Sequence, residues 1–195
     1  SELNACANQY VGALRAIGLR RGQSVSVMLE NRIEYVAVLI ALNKLGATAA
    51  LINTNLTGLP LIHCMGITDS VMCIFGEERM DAIADVREDP ALATVAHYLF
   101  VPDAGDQGCP GWASDLAEEA ADESRDNPPD TARNTLGETA LYIFTSGTTG
   151  MPKASVLSNR RYLMTAALSH KAGLRCDSRD CIYLCLPLYH GTGLF

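Results

Sequence analysis

The sequence predicts an α/β layered fold in which helices flank a mainly parallel sheet. Helical and strand patterns alternate through the first hundred residues, and this alternation is typical of α/β layer folds. The predicted strands at 48–52 and 71–75 are short and largely apolar, as expected of strands that are buried in a sheet. The chain has 195 residues, of which 48% are hydrophobic and 19% charged, and this composition is that of a globular protein.

The elements follow from the spacing of apolar residues and from the glycines that end helical patterns. Leu3, Ala7, Tyr10 and Leu14 have the spacing of one helix face, and Gly18 ends that helix. The predicted order in the first portion is helix 2–17, strand 25–29, helix 33–45, strand 48–52, helix 59–66, strand 71–75, helix 77–87 and strand 95–101. The predicted order in the last portion is strand 140–144, strand 154–157, helix 159–174 and strand 182–186.

A connecting segment at 102–137 separates these two portions. It is rich in Asp, Glu, Gly, Pro and Ala, which favours an acidic surface connection with one short helix at 114–121. We expect Trp112 to be packed against the rest of the protein. The predicted organisation is therefore one α/β domain with a first portion at 1–101, the connection at 102–137 and a second portion at 138–195.

Charge and cysteine content limit the classes of function and the compartment. The net charge is −7, with 22 acidic and 15 basic residues, which argues against a nucleic-acid-binding protein. The seven cysteines include no Cys-x-x-Cys pair, which favours buried reduced thiols and a cytoplasmic location over a disulfide framework or a zinc site. The first residues lack the features of a signal peptide. The longest apolar run, 35–42, is too short to span a bilayer, so we expect this piece to be soluble.

One loop between the strands at 140–144 and 154–157 carries most of the chemistry. Its chemistry-bearing residues are Thr145, Ser146, Gly147, Thr148, Thr149, Gly150 and Lys153. Glycines let the backbone turn and approach a ligand closely, while hydroxyls, backbone N–H groups and one ammonium favour a polyphosphate. The spacing of the two glycines and the proline before Lys153 exclude a Walker loop, and the dinucleotide-binding pattern is absent.

This loop resembles the phosphate-binding motif of the adenylate-forming superfamily of acyl-CoA synthetases, luciferases and peptide-synthetase adenylation domains. The match Thr-Ser-Gly-Thr-Thr-Gly-x-Pro-Lys is nearly complete, and Ala154 stands where many members have glycine. That alanine, the segment Glu30-Asn31-Arg32 and the run 50–64 resemble the fatty-acyl branch, of the very-long-chain or fatty-acid-transport-protein type. The resemblance implies that the chain is part of the large N-terminal domain of this fold.

A second motif follows the predicted strand at 182–186. Tyr189, His190 and Gly191 come directly after its end, where open α/β sheets bind ligands. A single histidine in such a place is most often structural. However, Leu-Pro-Leu-Tyr-His-x-x-Gly resembles the next motif of the superfamily, which implies that these three residues line the substrate pocket. We assign His63, His97 and His170 structural roles.

The resemblance implies a two-step reaction. A fatty acid or another carboxylate reacts with ATP to give an acyl-adenylate and pyrophosphate, and CoA then forms the thioester. Lys153 would be the catalytic residue, and Thr145 to Gly150 would bind the ATP phosphates with it. Mg²⁺ would accompany ATP, but the sequence offers no metal ligands. Further motifs and the C-terminal domain lie beyond Phe195 in the superfamily, so we expect this chain alone to be inactive.

Two alternatives stay open at this point. The chain could belong to an enzyme that activates an amino or aryl acid, or it could be a non-catalytic nucleotide-binding module. The sequence also leaves open membrane association and homo-oligomerisation of a longer parent protein.

Overall fold

A mainly parallel sheet forms the centre of the protein. The structure, a computed structural model, describes residues 1–105, 107–145, 150–175, 177 and 179–195. Within these residues the strands are β1 (Ser24–Met28), β2 (Thr48–Leu51), β3 (Ser70–Gly76), β4 (His97–Val101), β5 (Ser114–Asp115), β6 (Thr139–Thr145) and β7 (Lys153–Ser158). Their order in the sheet is β5-β4-β3-β1-β2-β6-β7. Neighbouring strands are parallel except β6 and β7, which are antiparallel. The predicted fold class is confirmed.

Helices connect the strands and cover both faces of the sheet. In the described part of the chain the α-helices are α1 (Glu2–Ala16), α2 (Ile33–Leu45), α3 (Gly58–Gly66), α4 (Met80–Ala84), α5 (Leu116–Ala120), α6 (Asn159–Leu168) and α7 (Gly191–Leu194). A π-helical stretch, Ser169–Leu174, continues α6. Gly46 ends α2 with a φ of 69°, a left-handed conformation that glycine adopts without strain. Helix α2 has the bounds that the sequence predicts.

Two apolar cores lie on opposite faces of the sheet because successive side chains of a strand point to opposite faces. In β3, Ile74 belongs to the core that α1 and α2 complete, whereas Phe75 belongs to the core that α3 and α4 complete. Both side chains are fully buried. Burial on both faces explains why the central strands are apolar at nearly every position.

The connecting segment 102–137 is attached to the sheet by aromatic and polar contacts. The Trp112 ring stacks on Phe75, with 5.2 Å between ring centroids, which confirms that this tryptophan is packed. On the other face, the Lys44 ammonium donates to Asn127 Oδ1 over 3.0 Å and also to Asn4 and Asn8. The predicted short helix exists as α5, preceded by the two-residue strand β5.

Three sequence-based expectations about secondary structure and cysteine burial are wrong. Residues 182–186 form no strand and pair with no strand of the described chain, and the exposed fraction of Tyr183 reaches 89%. Cys181 and Cys185 are consequently exposed rather than buried. The apolar composition of residues 182–186 indicated a tendency to be buried, but composition does not determine whether their backbone pairs with a neighbouring strand.

The third error concerns the predicted helix at 77–87. The Glu77 carboxylate accepts hydrogen bonds from the backbone N–H groups of Asp103 and Gln107, at 2.8 Å each. A 3-10 turn begins at Glu77, and the α-helix that follows it is only five residues long.

Among the described residues, no helix combines the length and the apolar character needed to cross a membrane.

Candidate functional site

A cleft of about 660 Å³ lies at the carboxyl ends of β2 and β6. In open α/β sheets this edge is where ligands bind. Three connections of the chain meet there: the turn after β2, the two ends of the loop between β6 and β7, and the segment that leads into α7. The lining residues are Asn53, Leu56, Ile143, Phe144, Thr145, Gly150, Pro152, His190, Gly191 and Thr192.

The hairpin of β6 and β7 positions both ends of the predicted phosphate-binding loop. Thr145, the last residue of β6, is the register partner of Lys153, the first residue of β7. Gly150 has a φ of 99°, which an L side chain rarely adopts, and an added Cβ there would meet no atom within 4 Å. The glycine is therefore required by backbone conformation and not by lack of space. Lys153 is exposed, so its ammonium can reach a ligand in solution.

Four of the predicted phosphate-binding residues, Ser146, Gly147, Thr148 and Thr149, lie outside the described residues. Thr145, Gly150 and Lys153 are described. Two of these three, Thr145 and Gly150, line the cleft. The roles assigned to all seven residues from the sequence stay predictions.

The second predicted motif also reaches the cleft. The His190 N–H donates to the Pro187 carbonyl over 3.1 Å and closes a turn. His190 is exposed and, with Gly191, lines the cleft. Tyr189 instead packs into the core behind it with an exposed fraction of 6%, and its ring centroid lies 4.7 Å from that of His190. The structure therefore brings two of the three predicted pocket residues to the cleft wall and makes the third their support.

Tyr35 is a buried tyrosine close to Tyr189. Burial, and to a lesser extent the neighbouring Tyr189, raise the pKa of Tyr35 well above its ordinary value of 10.0. The Tyr35 side chain is fully buried. The Tyr35 hydroxyl is therefore uncharged at neutral pH.

Sequence analysis missed two contributions to the cleft. Asn53 lines it, and the Asn53 Oδ1 accepts a hydrogen bond from the Asn55 N–H over 2.9 Å, which fixes the turn after β2. The Asn55 side chain in turn donates to the Tyr189 hydroxyl over 3.4 Å. The His63 Nε2 lies 3.0 Å from the Pro152 carbonyl oxygen, one residue before Lys153. Only the tertiary structure reveals this contact, since 89 residues separate its partners.

The described residues that line the cleft include no acidic side chain, so none of them would repel an anionic ligand. Across the described residues, no group of three or more His, Cys, Asp or Glu side chains is arranged to hold a metal ion. The polar side chains of the described lining are therefore two threonine hydroxyls, the Asn53 amide and the His190 imidazole, and Lys153 directly follows the lining residue Pro152.

Comparison with known proteins gives consistent results for sequence and for structure. The family model described as "AMP-binding enzyme" matches residues 1–195. Human long-chain fatty acid transport protein 1 is 34% identical over 99% of this chain, which covers 29% of that protein. The medium/long-chain-fatty-acid–CoA ligase FadD6 of Mycobacterium tuberculosis is also 34% identical over 99% of this chain, which covers 30% of that protein. The chain thus spans under a third of these relatives.

Among solved structures, the inhibitor-bound N-terminal domain of FACL13 from M. tuberculosis superposes with a TM-score of 0.85 at 27% identity. The alignment covers 99% of this chain and 45% of that domain.

Proposed function

The chain belongs to the AMP-binding enzyme family, and from that premise we propose that it carries the phosphate-binding part of an ATP-dependent fatty acid–CoA ligase. The observation that carries this proposal is the convergence at one cleft of both ends of the phosphate-loop motif and of His190 and Gly191. The names of the two relatives support a fatty acid as the carboxylate substrate. ATP and CoA are the other substrates of the proposed enzyme.

In the first half of the reaction, a carboxylate oxygen of the fatty acid attacks the α-phosphorus of ATP. The bond from that phosphorus to the bridging oxygen of the β-phosphate breaks, and pyrophosphate leaves. In the second half, the CoA sulfur attacks the acyl carbon, the bond to AMP breaks, and the thiol proton is released. Phosphoryl and nucleotidyl chemistry of this kind depends mainly on positioning and on electrostatic stabilisation.

The residues of this chain act in the first half. The Lys153 ammonium and the N–H and hydroxyl donors of the loop hold the β- and γ-phosphates and stabilise the charge on the departing pyrophosphate. His190 and Gly191 line the cleft, and in the proposed enzyme they would border the carboxylate. Mg²⁺ bound to ATP would neutralise part of the phosphate charge. No group of three or more His, Cys, Asp or Glu side chains among the described residues is arranged to hold this ion.

The test is ATP–pyrophosphate exchange by the full-length parent protein with a long-chain fatty acid. Lys153→Ala should lower the exchange rate about 100-fold, since removal of one donor aimed at developing charge has effects of this order. Lys171→Ala is the matched control, because Lys171 is an exposed lysine in the π-helical stretch and outside the cleft lining. An unchanged rate for Lys153→Ala would remove Lys153 from the mechanism.

The choice of acid is tested with the same assay. Exchange with amino or aryl acids, and none with fatty acids, would assign the protein to another branch of the superfamily. Saturable ATP binding without exchange for any acid would instead favour a non-catalytic nucleotide-binding module.

A further inference from the structure

Asn31 forms polar contacts between the first half of the chain and residues 186–191, the His190 segment. It lies in the connection between β1 and α2, before the first residue of the helix, Ile33. Its Nδ2 donates to the Leu186 carbonyl over 2.8 Å, and its Oδ1 accepts from the Leu188 N–H over 2.8 Å. One side-chain amide therefore binds both backbone groups that flank Pro187, across a sequence separation of more than 150 residues.

The contact is placed where the His190 segment begins to be ordered by packing. On one side of it, residues 182–186 are irregular and exposed. On the other side, Leu188 and Tyr189 are buried in the first apolar core, with exposed fractions of 8% and 6%. Apolar burial alone does not fix the backbone rotation of such a segment, whereas two hydrogen bonds to one rigid amide do.

The rotation of this backbone determines where His190 points. The Pro187 carbonyl accepts from the His190 N–H over 3.1 Å and so closes the turn, while Pro187 itself has no N–H group to donate. The groups on either side of Pro187 are those that Asn31 binds. If they rotate, the Pro187 carbonyl turns with them, and His190 and Gly191 leave the cleft wall.

We propose that Asn31 is a positioning residue, which sets the backbone of the turn at Pro187 and thereby places His190 at the cleft. It does not touch the substrate in this role and acts through the turn. The consequence for catalysis rests on the proposed function, whereas the consequence for the turn does not.

The first experiment measures amide hydrogen exchange in the 195-residue chain, with Asn31→Ala and Asn31→Asp. Asn31→Ala removes both hydrogen bonds, and the Leu188 and His190 amides should exchange at least about tenfold faster, while amides of β1 exchange as before. Asn31→Asp keeps an acceptor for Leu188 but directs a carboxylate oxygen at the Leu186 carbonyl. It should protect Leu188 better than alanine does and should still shift the NMR signals of the His190 ring.

Asn134→Ala is the matched control. Asn134 also forms two long-range hydrogen bonds, accepting from Arg21 over 2.8 Å and donating to the Asn43 carbonyl over 2.6 Å. Arg21 lies before β1 and Asn43 in the last turn of α2, so these contacts are at the amino-terminal edge of the sheet, and none of these residues lines the cleft. The control should leave exchange at Leu188 and the His190 ring signals unchanged. Equal exchange at Leu188 in Asn31→Ala and the original chain would overturn the proposal.

The second experiment measures ATP–pyrophosphate exchange by the full-length parent. Asn31→Ala should lower kcat/KM for the fatty acid about tenfold or more, with Asn134→Ala close to the original enzyme. Accelerated amide exchange with unchanged kcat/KM would confine Asn31 to a structural role and overturn its positioning role in catalysis. If the full-length parent without substitutions showed no ATP–pyrophosphate exchange, the proposed function would be contradicted. The amide hydrogen exchange of the 195-residue chain would still decide whether Asn31 sets the turn.

Discussion

Phe75 in β3 contacts the connecting segment through the ring of Trp112. It is fully buried in β3, and its ring contacts two other aromatic rings. Its centroid lies 5.2 Å from that of Trp112 in a stacked arrangement, and 5.9 Å from that of Phe100 in an edge-to-face arrangement. Phe75→Leu keeps most of the apolar volume and removes both ring contacts.

The expected loss of stability follows from this geometry. Each aromatic pair contributes about 0.5–1.5 kcal/mol beyond burial, and the change of shape adds a smaller packing cost. We therefore expect Phe75→Leu to lower the free energy of unfolding by about 2 kcal/mol. Phe100→Leu is the matched control, because Phe100 is equally buried but takes part only in the pair with Phe75 among the described ring contacts. Its cost should be smaller by about one aromatic pair, or roughly 1 kcal/mol.

Urea unfolding provides the measurement with two probes. Trp112 is the only tryptophan, so its fluorescence reports the docking of the connecting segment, while far-UV circular dichroism reports the whole fold. In Phe75→Leu the fluorescence midpoint should fall at least as far as the dichroism midpoint. A loss below about 1 kcal/mol, or a loss no larger than that of Phe100→Leu, would refute the argument from two ring contacts.

Two further predictions concern the cleft and the alkaline limit of stability. Gly193→Ala would place a Cβ against the Pro187 carbonyl, 2.9 Å from its carbon, so the hydrogen of the His190 amide should exchange at least about tenfold faster. Gly191→Ala is the control, because its Cβ would have no neighbour closer than 3.7 Å, and amide exchange at His190 should be unchanged. Equal exchange rates in the two variants would contradict the predicted clash. Burial raises the pKa of the Cys64 thiol from 9.0 to about 12, so between these values only the unfolded chain ionises there, and stability falls by about 1.4 kcal/mol per pH unit. In Cys64→Ala the free energy of unfolding, obtained from urea unfolding between pH 8 and 10.5, should therefore fall less steeply with pH than in the original chain. An equally steep fall in both would argue against this role of the Cys64 thiol.

The regular elements could be predicted because local patterns specify them. Helix α2 has its predicted bounds, since an apolar helical pattern ends at Gly46, whose left-handed conformation stops the helix. The two strands on either side of the phosphate-loop motif were also correctly predicted, because two apolar runs flank a glycine-rich loop; their antiparallel pairing is a finding of the structure. The fold class followed from the order of such elements.

The errors share one physical cause, which is that distant contacts decided the outcome. Glu77 begins a 3-10 turn, and its carboxylate accepts hydrogen bonds from backbone N–H groups of the connecting segment. No local sequence pattern indicates these contacts. Residues 182–186 have strand-like composition, yet no described strand pairs with them. The contact of the His63 ring with the Pro152 carbonyl, beside Lys153, is also long-range and was not predicted, although it agrees with the structural role expected of this histidine.

The same distinction separates the core of this protein from its cleft. The cores are built by apolar periodicity, whereas the cleft is assembled by polar side chains in successive connections. Asn31 after β1 holds the turn at Pro187, Asn55 after β2 contacts Tyr189, and His63 in α3 contacts the carbonyl before Lys153. Each joins parts of the chain separated by 89 or more residues. A substitution at one of these contacts can therefore displace the cleft wall while leaving the apolar cores intact, which makes them the positions at which loss of function and loss of stability can be separated.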